Sequence, residues 1–179
     1  KSVATNGDNI HVVWHDTRNG SAEIYYRRST NSGVSWTSDT RLTNAPGMSV
    51  AASIALYGGN IHVAFESDRS GHFEIYYKES SNNGTTWSAD VQLTNDAFDS
   101  YAVSISAAVS VHIVWMDFRY GEPEIYYIRS TNGGANWGAE TRLTNNTAAQ
   151  KYPVISMAGT GIHVVFEDER NGHSNAEIY

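Results

Sequence analysis

The chain of 179 residues has no cysteine, only three prolines and no long run of apolar residues. Without cysteine it has no disulfide, no thiolate metal ligand and no cysteine nucleophile. No stretch reaches the roughly 18 apolar residues of a membrane-spanning helix. Basic residues are also scarce, with 12 Lys and Arg against 19 Asp and Glu, which gives a formal net charge of −7. Because nucleic acids and anionic membranes attract clustered cations, we expect neither as a partner.

An internal repeat organises the sequence. The pattern Ile/Val-His-apolar-apolar-aromatic occurs four times, and its histidines are His11, His62, His112 and His163, so the steps are 51, 50 and 51 residues. Two further motifs keep the same step. Glu-Ile-Tyr-Tyr occurs at Glu23–Tyr26, Glu74–Tyr77 and Glu124–Tyr127, and Leu-Thr-Asn occurs at Leu42–Asn44, Leu93–Asn95 and Leu143–Asn145. Three motifs with one period indicate tandem copies of one structural unit.

Each copy predicts four short strands: a small-residue segment, the His strand, the Glu-Ile-Tyr-Tyr strand and a short strand that follows a tryptophan. No window has a sustained apolar stripe of helical period, so we expect no helix. A four-stranded unit of about 50 residues fits the blade of a β-propeller, and a β-solenoid is the alternative. We therefore predict one all-β repeat domain over residues 1–179, with blades at about 1–47, 48–98 and 99–148 and an incomplete blade at about 149–179.

The segment after the third strand of each copy carries the most specific motif. It reads Ser29-Thr30-Asn31-Ser32-Gly33-Val34-Ser35-Trp36 in the first copy and keeps Ser, Asn, Gly and Trp in the next two. This resembles the Asp-box, Ser-x-Asp-x-Gly-x-Thr-Trp, of sialidase-like propellers, also called BNR repeats. The matched positions are Ser29, Asn31, Gly33, Trp36, Ser80, Asn82, Gly84, Trp87, Ser130, Asn132, Gly134 and Trp137.

The resemblance implies a partial ring of four-stranded antiparallel blades with Asp-box turns, on a face away from any catalytic centre. Asn replaces the usual Asp here, so the side chain keeps its hydrogen-bond acceptor and loses its charge. We therefore predict a structural role for these turns and no cation bound by them. The resemblance also implies an extracellular or cell-surface protein, although the chain contains no signal peptide.

Sialidase-type catalysis, by the resemblance, needs three arginines that grip a carboxylate, a Tyr/Glu nucleophile pair and an Asp acid/base. These residues come from different blades and therefore interrupt the repeat. In this chain an arginine recurs at one repeat position and a glutamate at another, once in every copy. We therefore expect both to be structural, for example through an ion pair between Arg18 and Glu23. We predict no catalytic residue, no cofactor and no metal site. The repeated histidines are expected to be hydrogen-bonded core residues, and His15, His72 and His173 to be solvated near turns.

A ligand-binding alternative remains on the links between the second and third strands. In propellers these links lie on the face where ligands usually bind. A ring of arginine and carboxylate, with Phe118 and Tyr120, is able to hold a sugar or an acidic group. The predicted ligand-binding residues are Asp16, Arg18, Asp68, Arg69, Asp117, Arg119, Asp168 and Arg170.

The fourth copy stops at Tyr179, within its third strand. We expect either a piece of a longer propeller or self-association that covers the open blade faces. Three hypotheses for the function follow. The first is a non-catalytic scaffold or a module that binds a glycan or a protein. The second is part of a sialidase-like glycoside hydrolase whose catalytic residues lie largely outside this segment, and the third is a spacer without a ligand.

Overall fold

The structure is a computed structural model that describes the backbone of residues 1–179 and every side chain except that of Ser174. Four antiparallel sheets account for the fold, which confirms the all-β prediction. The sole helical element in the described chain is a single 3-10 turn at His173–Asn175. No helix in this described part has the length and apolar character needed to cross a membrane.

Each sheet is formed from consecutive strands in chain order. The first contains β1 (Ser2–Asn6), β2 (Asn9–Asp16), β3 (Glu23–Ser29) and β4 (Thr40–Arg41). The second contains β5 (Ser49–Tyr57), β6 (Asn60–Ser67), β7 (Glu74–Ser80) and β8 (Val91–Gln92). The third contains β9 (Ser100–Ala107), β10 (Val111–Asp117), β11 (Glu124–Ser130) and β12 (Thr141–Arg142). The fourth contains β13 (Gln150–Ala158), β14 (Gly161–Asp168) and β15 (Glu177–Ile178).

The first strands of the four sheets lie side by side along one line. A serine hydroxyl in each of them accepts a hydrogen bond from a backbone N–H of the next: Ile54 to Ser2 at 3.4 Å, Ile105 to Ser53 at 3.4 Å and Ile155 to Ser104 at 3.2 Å. The same contact at each step places the small-residue strands at the inner edge. The sheets are therefore successive blades of an open β-propeller arc, as predicted.

The hydrophobic core lies between the blades. Ile24 and Tyr26 of the first blade pack with Ile54, Val63 and Phe65 of the second. A second cluster joins Ile75 and Tyr77 of the second blade to β9 and β10 of the third. Every residue of β10 is buried, because each blade covers one face of the next. This explains why the second strands are apolar on both faces instead of alternating.

The two ends of the blades carry different segments. At one end, the Ser-x-Asn-x-Gly turns lie beside the turns that join the first and second strands, since Asn83 N–H donates to Gly59 O at 3.2 Å. At the other end, the links between second and third strands lie beside the connections between blades, since Ser49 N–H donates to Ala22 O at 2.7 Å. We call these the turn face and the link face.

Candidate functional site

The Ser-x-Asn-x-Gly turns are held by their own side chains. Ser29 Oγ accepts a hydrogen bond from the backbone N–H of Gly33 at 2.9 Å, and Asn31 Oδ1 accepts one from Ser35 N–H at 2.9 Å. The second and third copies repeat these bonds at 2.8–2.9 Å. The amide oxygen thus accepts the hydrogen bond that a carboxylate oxygen accepts in an Asp-box. The backbone N–H groups of the turn find their acceptors within the turn itself.

The second and third of these turns also pack on the preceding blade. Trp87 meets Tyr26 edge to face, with ring centroids 4.9 Å apart, and Trp137 meets Tyr77 in the same way. The contact of the tryptophan with the preceding blade is not evident from the motif itself. The motif therefore joins neighbouring blades.

Three of the repeated histidines contact the tyrosine at the equivalent position of their own blade. Nδ1 of His11, His62 and His112 lies 2.7 Å from the hydroxyl of Tyr26, Tyr77 and Tyr127, respectively. Burial lowers the pKa of His62 to about 4, which keeps the imidazole neutral. His163 differs from the other three because it is exposed. Among the described residues, no group of three or more His, Asp or Glu is placed to hold a metal ion.

The repeated glutamates fasten the third strand to the segment that follows the fourth. The Thr43 hydroxyl accepts a hydrogen bond from Ile24 N–H at 2.8 Å and donates to the Glu23 carboxylate, which Arg41 also contacts at 2.7 Å. Glu74 with Thr94, and Glu124 with Thr144, repeat the arrangement. The expected pairing of Arg18 with Glu23 is wrong, because Glu23 is already occupied by Thr43 and Arg41.

Each link arginine contacts carboxylates of its own blade, and Arg119 also contacts Asp96 in the segment that follows β8. Arg18 pairs with Asp16 at 2.6 Å and with Asp39 at 2.7 Å, and its guanidinium lies 4.6 Å from the Tyr25 ring centroid. These hydrogen bonds from Arg18 hold the pKa of Asp16 well below its usual range. Arg69 pairs with Asp90 at 2.6 Å and lies over Tyr76.

The other two link arginines are similarly engaged. Arg119 pairs with Asp117 at 2.6 Å, with Glu140 at 2.8 Å and with Asp96 at 2.9 Å, while Arg170 pairs with Asp168. Among the described side chains, no ion pair joins one of the four link arginines to the link carboxylate of another blade. The structure thus pairs three of the four predicted link arginines with the link carboxylate of the same blade, whereas Asp68 accepts a hydrogen bond from Met48 N–H at 2.5 Å and Arg69 pairs with Asp90.

A pocket of about 270 Å³ opens on the link face between the second and third blades. It is lined by His72, Ala97, Phe98, Asp99, Tyr101 and Phe118. Three aromatic rings follow one another here: Phe118 and Tyr101 belong to the lining, and Phe73 lies outside it. The Tyr101 ring centroid lies 5.2 Å from that of Phe73 and 6.0 Å from that of Phe118, which it meets at 84°. Phe98 projects beside them with 48% of its surface exposed.

Asp99 is fixed at the edge of this pocket. Its Oδ1 accepts a hydrogen bond from Phe73 N–H at 2.8 Å, and its Oδ2 accepts one from the Tyr101 hydroxyl at 3.0 Å. The side chain nevertheless remains 39% exposed. The pocket therefore offers an oriented carboxylate beside aromatic surface.

The local field at the pocket is negative. Burial raises the pKa of Tyr101 to about 12, with further contributions from Asp99, Glu66 and Asp68. Glu66 lies beneath the inner strand of the third blade, where Val103 N–H donates to it at 3.4 Å. Its side chain is buried, and burial raises its pKa to about 7.

The residues that form this pocket interrupt the repeat. Phe98 corresponds to Gly47 and Ala148 in the neighbouring copies, and Tyr101 corresponds to Val50 and Lys151. Sequence reasoning identified Phe118 and missed the others, although a position-by-position comparison of the copies would have found them. Tyr120, named with Phe118, lies outside the lining and stacks on Arg142, with 4.5 Å between guanidinium and ring centroid.

Several solved structures share this fold. The chain aligns over 99% of its length with 43% of the Hadza microbial sialidase Hz136, at 12% identity and a TM-score of 0.71. It also aligns over 94% of its length with 33% of a Trypanosoma rangeli sialidase (13% identity, TM-score 0.65) and with 64% of a thermostable family-43 glycoside hydrolase (13% identity, TM-score 0.61). The chain thus spans less than two thirds of these proteins, and at such identities the likeness shows the fold alone.

No protein-family model matches the chain, and no curated protein does.

Proposed function

We propose that this chain is a non-catalytic, carbohydrate-binding part of an Asp-box (BNR-repeat) β-propeller. The observation that carries the proposal is the aromatic pocket on the link face, built from residues that interrupt an otherwise regular repeat. Residues that recur in every blade serve the common fold, whereas residues found at one junction only need a local explanation. A ligand that binds at that junction provides one.

The chemistry of the pocket suits a sugar. The C–H face of a pyranose ring packs on aromatic side chains, and its hydroxyl groups donate to oriented acceptors. Phe98, Tyr101 and Phe118 supply the aromatic surface, and Asp99 supplies the acceptor. The predicted link residues belong to the rim of the same face in this proposal. Asp68 acts on Tyr101 through its charge, and Arg119 follows Phe118 in the chain.

Contacts of the repeated polar residues support a non-catalytic role. The link arginines are engaged by carboxylates and aromatic rings, and the repeated glutamates by threonine hydroxyls. Groups used in this way hold the blade together and are not free to grip a substrate carboxylate.

We further propose that the module belongs to a larger exported or cell-surface protein and that it self-associates. The outer sides of the first and fourth blades support self-association. A surface cavity of about 440 Å³ on the first combines apolar and charged residues, and Val154 and Val165 are exposed on the fourth. The cavity is lined by Lys1, Val12, Trp14, Arg27, Trp36 and Asp39. Light scattering coupled to size-exclusion chromatography tests this, and a stable, folded monomer would contradict it.

A binding assay on the whole chain tests the carbohydrate proposal. A glycan array identifies a ligand, and calorimetry then compares the chain with its Phe98→Ala and Phe118→Ala variants. Both variants are expected to lose affinity, while Tyr120→Ala, which removes an exposed ring outside the pocket, retains it. Absence of any glycan binding, or equal losses in all three variants, would contradict the proposal and favour a spacer without a ligand.

A second candidate is a segment of a sialidase-like glycoside hydrolase whose catalytic residues lie largely outside this chain. The fold shared with sialidases and with a family-43 glycoside hydrolase favours it. A fluorogenic sialoside assay separates the two. Turnover by this chain, or by a longer protein that contains it, would replace the non-catalytic proposal.

A further inference from the structure

We propose that the aromatic pocket between the second and third blades selects sugars that carry a free amine, in the ammonium form, over N-acetylated and acidic sugars. This inference rests on the proposed carbohydrate-binding function and names its ligand class. It comes from the charges around the pocket, which none of the repeated motifs supplies.

The lining itself contains a carboxylate and no lysine or arginine. Asp99 is oriented by two donors, Phe73 N–H at 2.8 Å and the Tyr101 hydroxyl at 3.0 Å. A carboxylate has about four acceptor sites, so about two remain for a ligand. An ammonium group donates charge-assisted hydrogen bonds to such a site, and these are about twice as strong as those of a neutral amide or hydroxyl.

The arginine next to the lining in the chain, Arg119, does not offset this negative charge. Arg119 follows Phe118 in the chain and is shared among Asp96, Asp117 and Glu140, three carboxylates for one guanidinium. Asp68 adds a further carboxylate whose charge acts on Tyr101. A sugar carboxylate placed here meets like charge, which argues against an acidic sugar.

The aromatic rings favour the same ligand class. A cation is attracted to the face of an aromatic ring, and the contribution is about 0.5–1 kcal/mol at exposed sites. Phe98 is half-exposed, and Tyr101 and Phe118 are partly buried beside it. An amino sugar uses its C–H face and its ammonium group on the same wall, whereas an N-acetyl sugar uses the C–H face alone.

His72 is the lining group that is able to compete with the ligand. Its Nδ1 lies 3.8 Å from Asp99 Oδ1, and its side chain is 50% exposed. A protonated imidazole would occupy the acceptor that the sugar ammonium needs. A His72→Gln variant, which removes the imidazole, is therefore expected to bind the amino sugar as well as the parent chain or better.

The test compares oligosaccharides that differ in charge, two of which have the same length. Calorimetry on the whole chain measures binding of a β-1,4-glucosamine pentamer, of its N-acetylated counterpart and of sialyllactose. We expect the glucosamine pentamer to bind about tenfold more tightly than the N-acetylated one, because a charge-assisted bond replaces a neutral contact. We expect sialyllactose to bind weakest.

Two variants separate the pocket from a general attraction between a polycation and an acidic protein. Asp99→Asn keeps an acceptor for Phe73 N–H, and we expect it to lower glucosamine affinity about tenfold while N-acetyl affinity is unchanged. Glu122→Gln removes one charge from an exposed position of the same face and is expected to change neither. Melting curves establish that both variants are folded.

The outcomes distinguish this inference from the proposed function. Equal affinity for the two pentamers, or equal losses in Asp99→Asn and Glu122→Gln, would overturn the amine preference and leave carbohydrate binding intact. Failure of all three sugars to bind would also overturn the amine preference, whereas carbohydrate binding itself is overturned only if no glycan on the array binds. Because the pentamer comparison uses the unchanged chain, it does not depend on any variant being folded.

Discussion

Tyr77 and Gly134 belong to neighbouring blades and lie so close together that only glycine fits. A Cβ added to Gly134 would lie 2.0 Å from the Tyr77 hydroxyl oxygen, and the backbone φ of Gly134 is +99°. Tyr26 and Gly84 have the same relationship one blade earlier. The glycine of the turn is therefore required by the preceding blade as well as by its own backbone.

Gly134→Ala is expected to destabilise the chain by about 3 kcal/mol, because steric overlap with Tyr77 adds to the strain of a positive φ. Chemical denaturation measures the free energy of unfolding. Gly133→Ala is the matched control, since Gly133 also has a positive φ but nothing lies within 4 Å of an added Cβ. Equal losses in the two variants would show that contact with Tyr77 has no part in the effect.

Thr94→Val is expected to lower the free energy of unfolding by about 2–3 kcal/mol, because it removes the acceptor for Ile75 N–H and the donor to buried Glu74. The two side chains have nearly the same shape, so packing changes little. The exposed Thr85 provides the control through Thr85→Val. A change below about 0.5 kcal/mol in Thr94→Val, the range of ordinary surface substitutions, would contradict the proposed fastening role.

The buried carboxyl of Glu66 is expected to lower the free energy of unfolding as the pH rises. Its pKa is raised by burial from 4.5 to about 7, so the folded chain binds more protons than the unfolded chain between these values. Stability contributed by the protonated carboxyl is fully present below pH 4.5 and is lost as the pH rises through 7. The loss is on the order of 3 kcal/mol.

Denaturation of the parent chain and of Glu66→Gln at pH 4.5, 6 and 8 measures this contribution. The difference in unfolding free energy between the two proteins is expected to shift in favour of the variant as the pH rises. The exposed Glu122 supplies the control variant Glu122→Gln. A difference that stays constant with pH would contradict the burial of an unpaired carboxyl at this position.

The contribution of His62 to the stability of the folded chain has the opposite dependence on pH. Burial lowers its pKa to about 4, so the unfolded chain binds more protons between pH 4 and 6.5, and the folded chain is destabilised as the pH falls through this range. NMR of the ring nitrogens at pH 5.5 is expected to show a neutral imidazole for His62. The urea-unfolded chain serves as reference, since its histidines titrate near about 6.5. A protonated His62 in the folded chain at this pH would contradict the effect of burial on its pKa.

The repeat made the fold predictable from the sequence. Because His11, Glu23 and Leu42 recur with their neighbours at one period, strand order and blade architecture followed from pattern alone. The pairing of Arg18 was not predictable in the same way. Sequence spacing does not show that Thr43 and Arg41 reach Glu23 first, because that depends on how the third and fourth strands fold back on each other.

The pocket was harder to predict for a related reason. Phe73, Phe98, Tyr101 and Phe118 come from one link of the second blade, the connection to the third, an inner strand and the next link. No local pattern unites them, and each taken alone is an ordinary aromatic residue. They become a site because the second and third blades bring these segments together, and a search for repeated features passes over residues that occur once.

The central claim is that residues which interrupt the repeat, and not those that recur, form the ligand site. The most direct measurement is NMR mapping of backbone amide shifts on titration with the glucosamine pentamer. We expect the amide shift changes to be concentrated at residues 97–101, at His72 and at Phe118. Changes concentrated at the repeated link arginines Arg18 and Arg170, or spread evenly over the acidic surface, would contradict it.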